Sequence, residues 1–237
     1  MSVATIEVLL PGRALTTPEG SVGFCGTYLV TCAGPRPQRI LFDPGHAGRR
    51  SALLSQLAKG GLDAADIDTV VLSHAHWDHA QNADLFERAT VWAHAAELDG
   101  PTDRRPRDIA TPAWTFRMLR FVGATAAVDG QALGTGVDVL HVPGHTAGSI
   151  GLRVRTAAGV AVLSGDAISR RDAAQKGRCA VAHFDAAAGM RSVQIILRTA
   201  DEVWPGHDRP FAVRNGLVGE YLSPADEVEI VDRALER

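Results

Sequence analysis

Short apolar runs, each closed by glycine or proline, fill the first part of the chain. Ile6–Leu10 is mostly apolar and stops at Pro11-Gly12. Phe24–Thr31 is rich in apolar and β-branched residues and predicts a second strand. Arg39–Asp43 follows a Gly-Pro-Arg-Pro turn and stops at Pro44-Gly45. The succession predicts an antiparallel meander at the start of a sheet. A helix fits Arg49 to Ala58, with Leu53, Leu54 and Leu57 on its apolar side and Gly60-Gly61 at its end.

Further along, Thr69–Leu72 reads as a buried strand that points at Ser73-His74, and Ala89–Ala93 as another strand. Ala80 to Phe86 has a helical look. Gly100 to Asp108, with two prolines and many charges, reads as an exposed loop. Thr111–Arg120 fits a short helix with Pro112 in its first turn. Val137–Val142 is a strand, and Ile150–Val154 and Val160–Leu163 form a hairpin around Gly159. Asp185–Ala200 predicts a helix with Met190, Val193, Ile196 and Leu197 on one face. Val203-Trp204 is a short strand, and a last helix starts at Ser223-Pro224, with Asp226 near its positive end. A coarse two-fold echo, strands then a helix, runs through the two halves.

Four of these strand ends deliver a histidine or aspartate: Ser73-His74, Pro143-Gly144-His145, Gly165-Asp166 and Pro205-Gly206-His207. Loops at one edge of a sheet are where sites are built. The densest signal is His74-Ala75-His76-Trp77-Asp78-His79, four ligand-type residues in six. Imidazole and carboxylate together suit Zn²⁺, Mn²⁺ or Fe. The competing reading is a surface histidine patch or core histidines with backbone partners. The further ligand-type residues at other strand ends weigh against it.

Composition narrows the partners. The 237 residues are 46% hydrophobic and 22% charged, as in an ordinary globular protein, and are read as one domain spanning 1–237. A formal net charge of −3 gives no general attraction to nucleic acid. The arginines at 104, 105 and 107, and Arg170-Arg171, read as solvated loop surface. No segment reaches the ~20 apolar residues of a membrane span, and the first ten residues have no basic leader. Cys25 and Cys32 fall in one apparent strand and cannot pair there, and no Cys-x-x-Cys occurs, so the thiols read as reduced. These points lead to an expectation of a soluble cytoplasmic protein with a small-molecule substrate and no nucleic-acid or membrane partner. They leave room for a homo-oligomer.

His74–His79 resembles the His-x-His-x-Asp-His motif of the metallo-β-lactamase superfamily. Pro143 to Ser149 (Pro-Gly-His-Thr-Ala-Gly-Ser), Ser164-Gly165-Asp166 and Pro205-Gly206-His207 resemble its later motifs, in the family's order. Leu41-Phe42-Asp43-Pro44-Gly45 resembles its early Asp-x-Gly turn. The resemblance implies an α+β fold, a four-layer αββα sandwich. It implies two Zn²⁺ ions, with Fe or Mn as substitutes. His74, His76 and His145 would hold the first, Asp78, His79 and His207 the second, and Asp166 would bridge them. The implied chemistry is a hydroxide shared by the two cations that attacks a lactone, ester or thioester carbonyl, with Asp78 and Asp166 as catalytic groups. Asp43 is read as the partner that holds a ligand histidine in one tautomer.

Among the remaining residues, His183, Ser169 and Trp77 are candidate substrate contacts. Trp77 is read first as packing against the neighbouring helix. His46 could line the mouth or serve a turn, His94 could support a ligand or be exposed, and His141 is read as structural. Within the superfamily, aspartate at 166, where the major zinc β-lactamases have cysteine, points away from penicillin hydrolysis. Histidine at 76 points away from the flavodiiron branch. The closest likeness is to acyl-homoserine-lactone lactonases and glyoxalase-II-like thioesterases. However, Ser169 stands near the place where the lactonases carry a tyrosine. His76 to Asn82 and Pro205 to Phe211 also resemble a bacterial subgroup similar to the animal metallo-β-lactamase-domain-containing proteins. Two other readings are a mononuclear-iron persulfide dioxygenase and a nucleic-acid phosphodiesterase using the arginine-rich loop.

Overall fold

A computed structural model describes residues 4–18, 20–98, 108 and 110–224. The first half builds β1 (Thr5–Leu10), β2 (Arg13–Thr17), β3 (Gly20–Phe24), β4 (Thr27–Cys32), β5 (Gln38–Phe42), β6 (Thr69–Val71), β7 (Thr90–His94) and β8 (Thr125–Ala127). Six of these form a sheet in the order β1-β4-β5-β6-β7-β8, antiparallel over the first three strands and parallel from β5 onward. β2 and β3 form a separate hairpin. The second half adds β9 (Ala132–Gly134), β10 (Val137–His141), β11 (Ile150–Thr156), β12 (Gly159–Gly165), β13 (Glu202–Pro205), β14 (Phe211–Arg214) and β15 (Leu217–Tyr221). They lie side by side in reverse chain order, with only the β12–β13 pair parallel.

The helices are α1 (Arg50–Lys59), α2 (Trp77–Ala80), α3 (Ala95–Leu98), α4 (Ala113–Phe121), α5 (Arg171–Gln175) and α6 (Ala186–Thr199). Strand side chains alternate between faces, so each sheet serves two apolar layers. Tyr28, Val30, Ile40, Phe42 and Val71 of the first sheet pack with Val139, Ile150, Leu152 and Leu163 of the second. Leu29, Leu41 and Val70 join Leu53 and Leu57 of α1 and Leu119 of α4 on the outer side. Val162, Val203 and Phe211 join Val193 and Ile196 of α6 on the other. Helix, sheet, sheet and helix therefore stack as the expected αββα sandwich. Each fully buried Leu or Ile in these layers contributes about 1.5–3 kcal/mol.

Several local expectations need correction. The predicted strand Phe24–Thr31 is two strands, β3 and β4, broken at Cys25-Gly26. A Cβ on Gly26 would lie 2.2 Å from the Tyr28 hydroxyl, so the turn needs glycine for close approach. Helix formation after the β6 turn begins at Trp77, which places Asp78 and His79 inside α2, and a 3₁₀ turn over Gln81–Leu85 follows. Leu54 and Met190 are exposed, because each lies just outside the apolar stripe of its helix. The helix expected from Ser223 and the arginines at 104, 105 and 107 fall largely outside the described residues. Among the described residues, no helix is long and apolar enough to cross a membrane.

The topology also sets the site. β5, β6, β7, β10, β12 and β13 end at the same rim, where the loops and short helical turns after them carry Asp43, His74, Glu97, His145, Asp166 and His207. The Tyr28 hydroxyl donates to the Pro205 carbonyl at 2.6 Å and ties the two sheets together just below that rim.

Candidate metal centre

Two triads form where the loops meet. Ligand atoms of His74, His76 and His145 lie within 4.8 Å of one another, as do those of Asp78, His79 and His207. Asp166 stands between them: Oδ2 is 3.5 Å from His145 Nε2 and 3.3 Å from His207 Nε2, and Oδ1 is 3.5 Å from His79 Nε2. All seven residues are buried. The structure thus brings together every ligand candidate read from the sequence.

Close approach at this rim depends on missing side chains. A Cβ on Gly206 would fall 2.0 Å from Asp166 Oδ1, and one on Gly23 of β3 2.3 Å from Asp78 Oδ2. The β2–β3 hairpin can close against the site only because position 23 is glycine.

The outer nitrogen of each ring faces an acceptor. His79 Nδ1 lies 2.8 Å from Asp43 Oδ2, His145 Nδ1 2.7 Å from the Val181 carbonyl, and His207 Nδ1 3.3 Å from the Arg13 carbonyl. His74 Nδ1 lies 2.8 Å from Ser73 Oγ, whose own proton goes to Asp43 Oδ2 at 2.7 Å. His76 is reversed: its Nε2 is 3.2 Å from Asp108 Oδ1. With the outer nitrogens turned to these acceptors, the inner ones are the positions left to ligate. The inner nitrogens nevertheless face each other, with His145 Nε2 3.0 Å from His76 Nδ1 and His79 Nε2 3.3 Å from His207 Nε2. His74 Nε2 is buried with no hydrogen-bond partner. Ring nitrogens converging in pairs, with an orphaned nitrogen beside them, fit a cation in each triad.

Electrostatics separate the two triads. Burial, with the neighbouring rings, holds His74 well below the ordinary histidine range, and burial pushes His145 down to about 3. Both are neutral and ready to ligate. Burial alone would also lower His79, but the carboxylates of Asp78, Asp43 and Asp166 outweigh it and raise the ring to about 10. His207 is raised against its burial by Asp166. Burial would raise Asp166, yet the facing His207 and His79 hold it well below the usual carboxylate range. A cation in the second triad therefore displaces protons, while one in the first displaces few.

A sequence model of the metallo-β-lactamase superfamily matches residues 20–207. The chain belongs to that superfamily. Among its superfamily relatives, the human metallo-beta-lactamase domain-containing protein 1 is 33% identical over 202 residues, covering 83% of this chain and 66% of its own. The chain thus spans just under two thirds of that relative's length. A Methanocaldococcus jannaschii protein named Probable metallo-hydrolase MJ0888 is 25% identical over 179 residues, covering 72% of this chain and 82% of its own. Among solved structures, a variant of B. thuringiensis AiiA with N-decanoyl-L-homoserine bound at its active site superposes with a TM-score of 0.68. It is 18% identical and covers 88% of this chain and 94% of its own. The superfamily fold is shared throughout.

Other residues singled out in the sequence fall at varied distances from the centre. His183 stands over the first triad, its ring 5.2 Å from His76 and 5.1 Å from His145. Ser169 is buried, and its carbonyl accepts the His207 backbone N–H at 2.7 Å. Trp77 packs edge-on against His46 at 5.1 Å. His46 also serves its own turn, where Nδ1 accepts from Gly48 N–H. His94 and His141 do not reach the centre; they stack on each other at 4.3 Å with their planes 3° apart.

Three functional neighbours were missed by sequence reasoning. Asp108 lay at the edge of a stretch read as loop, yet its carboxylate faces His76. Burial would raise its carboxyl, but the facing His76 ring outweighs that and, with the Thr111 hydroxyl, holds it well below the usual range. Arg13 contributes only a carbonyl, which no side-chain pattern reveals. The third is Glu97, buried between the ligand loops.

Proposed function

We propose that the protein is a two-metal hydrolase that opens a lactone or cleaves an ester or thioester, with zinc as the resident metal. The observation that carries this reading is the pair of complete triads, each with its ligand atoms turned inward, spanned by Asp166. Two divalent cations about 3.5–4 Å apart would lower the pKa of a shared water toward neutrality and polarise the substrate carbonyl. The chain's own residues do the rest. Asp43, the Val181 and Arg13 carbonyls and Asp108 fix ring orientation, as above. Asp166 and Asp78 supply negative charge on the inner face, Asp78 Oδ2 lying 3.5 Å from His207 Nε2. His183, half-buried over the first triad, and Trp77 and Ser169 at the rim are proposed substrate contacts.

A persulfide dioxygenase would use mainly one triad of these ligands, and the second triad here is as fully built as the first. The acyl-homoserine held by the B. thuringiensis neighbour supports the lactone end of the range. The three described cysteines are free and buried, which supports a reducing, cytoplasmic setting.

The test is turnover of the zinc-loaded protein on a panel of lactones, aryl esters, thioesters and phosphodiesters. Carbonyl substrates are expected to be hydrolysed, with at least a ~10³-fold loss on chelation and recovery on zinc addition. Chelator-insensitive hydrolysis, or oxygen consumption with a single bound iron, would contradict the reading.

A further inference from the structure

We propose that Glu97 is a positioning residue that sets the separation of His76 from His145 and so shapes the first triad alone. The inference rests on the metal reading above. Glu97 sits on α3, the four-residue helix that follows β7, and is only 6% exposed. Among the described residues no ion pair involves it. A buried carboxylate without a cation is costly unless hydrogen bonds satisfy it. Its three donors come from two loops. Oε2 accepts from the Ala75 N–H at 2.8 Å, and Ala75 is the residue between His74 and His76. Oε1 accepts from the Thr146 hydroxyl at 2.7 Å and the Gly148 N–H at 2.9 Å, both in the loop that begins with His145.

One carboxylate therefore clamps the His74–His76 turn to the His145 loop immediately behind the ligands. Further back, the same loops are joined by the Ile150 N–H on the Ser73 carbonyl at 2.8 Å. A Cβ on Gly148 would lie 2.6 Å from Glu97 Oε1, so the clamp closes only over glycine. His94, at the end of β7 just before α3, stacks on His141, at the end of β10, beside the clamp. Asp43 works differently: it faces His79 of the second triad directly and reaches His74 of the first through Ser73, so it serves both halves, whereas the Glu97 clamp touches only the loops of the first.

A residue that merely stabilised the fold would lower melting temperature and leave the two triads equally affected. A positioning residue acts on one of them. Glu97→Gln is nearly isosteric: its carbonyl oxygen still serves Thr146 and Gly148, but its amide then faces the Ala75 N–H, donor against donor. Thr146→Val loosens the clamp from the opposite loop. The experiment is a Co²⁺ titration followed by visible absorption, in His207→Ala protein, where only the first triad is complete, and in His145→Ala protein, where only the second is.

Glu97→Gln and Thr146→Val are expected to weaken Co²⁺ binding about 10–100-fold in the His207→Ala background, with a changed absorption band. Binding in the His145→Ala background should stay unchanged. Equal weakening in both backgrounds, or unchanged affinity in the first, overturns the positioning role. A wild-type protein that takes up no Co²⁺ overturns the metal reading, and this inference with it. Circular dichroism of the metal-free variants separates either result from failure to fold.

Discussion

Asp166→Asn is expected to lower kcat by about 10³–10⁴-fold, equivalent to about 4–5.5 kcal/mol of transition-state stabilisation, and to reduce bound metal from two equivalents to one. Asparagine matches aspartate in size, so no cavity or clash confuses the result. What disappears is one negative charge at the point where both triads meet, within 3.5 Å of His79, His145 and His207. Asp166→Glu should not rescue activity, because Asp166 Oδ1 already lies where a Cβ on Gly206 would come within 2.0 Å. Steady-state kinetics alongside metal analysis check this. An asparagine variant that kept two metals and a tenth of wild-type turnover would remove Asp166 from the bridging position.

The second large effect concerns Asp43. Its carboxylate accepts from the Ser73 N–H and hydroxyl, both at 2.7 Å, and from His79 Nδ1 at 2.8 Å. Its backbone φ is 53°, in the left-handed region that aspartate and asparagine tolerate better than other side chains. Asp43→Ala adds about 1–2 kcal/mol of backbone strain to about 1–3 kcal/mol for a buried, unsatisfied Ser73 N–H. The loss of stability should exceed 2 kcal/mol. Asp43→Asn keeps the backbone conformation and loses the charge, so its main expected effect is a 10–100-fold fall in metal affinity and activity.

A pH dependence separates the two roles of Asp43. In the metal-free protein His79 is raised from 6.5 to about 10, so the folded state holds a proton that the unfolded chain releases. Its contribution to stability is complete below pH 6.5 and is lost as pH rises through about 10. Asp43→Asn lowers the His79 pKa, so metal-free stability should fall less steeply over that window than in wild type. Urea midpoints measured from pH 6 to 10 read this directly. Parallel curves would mean that Asp43 does not hold the His79 proton.

The clustering of the seven His and Asp residues was legible because each lies at or just beyond a strand that ends in a recognisable turn, and because order along the chain matched the family's motifs. The sandwich followed from the same resemblance; strand periodicity was compatible with it but did not impose it. The β2–β3 hairpin was not legible. Arg13–Phe24 has no sustained alternation, and its value to the site lies in a backbone carbonyl and an absent side chain. The β14–β15 hairpin did leave a signal. Asn215-Gly216, with φ of 52° and 76°, is the pair that favours a tight hairpin turn, and it lies between two short apolar strands. Glu97 leaves no pattern at all, since a carboxylate satisfied by backbone donors from distant loops looks, in sequence, like any surface glutamate.

The most direct test is anomalous diffraction from crystals grown with zinc, recorded on either side of its absorption edge. Two peaks about 3.5–4 Å apart are expected, one against His74, His76 and His145, the other against Asp78, His79 and His207, with Asp166 touching both. A lone peak in one triad, or zinc bound elsewhere with the seven residues left in contact with each other, would contradict it.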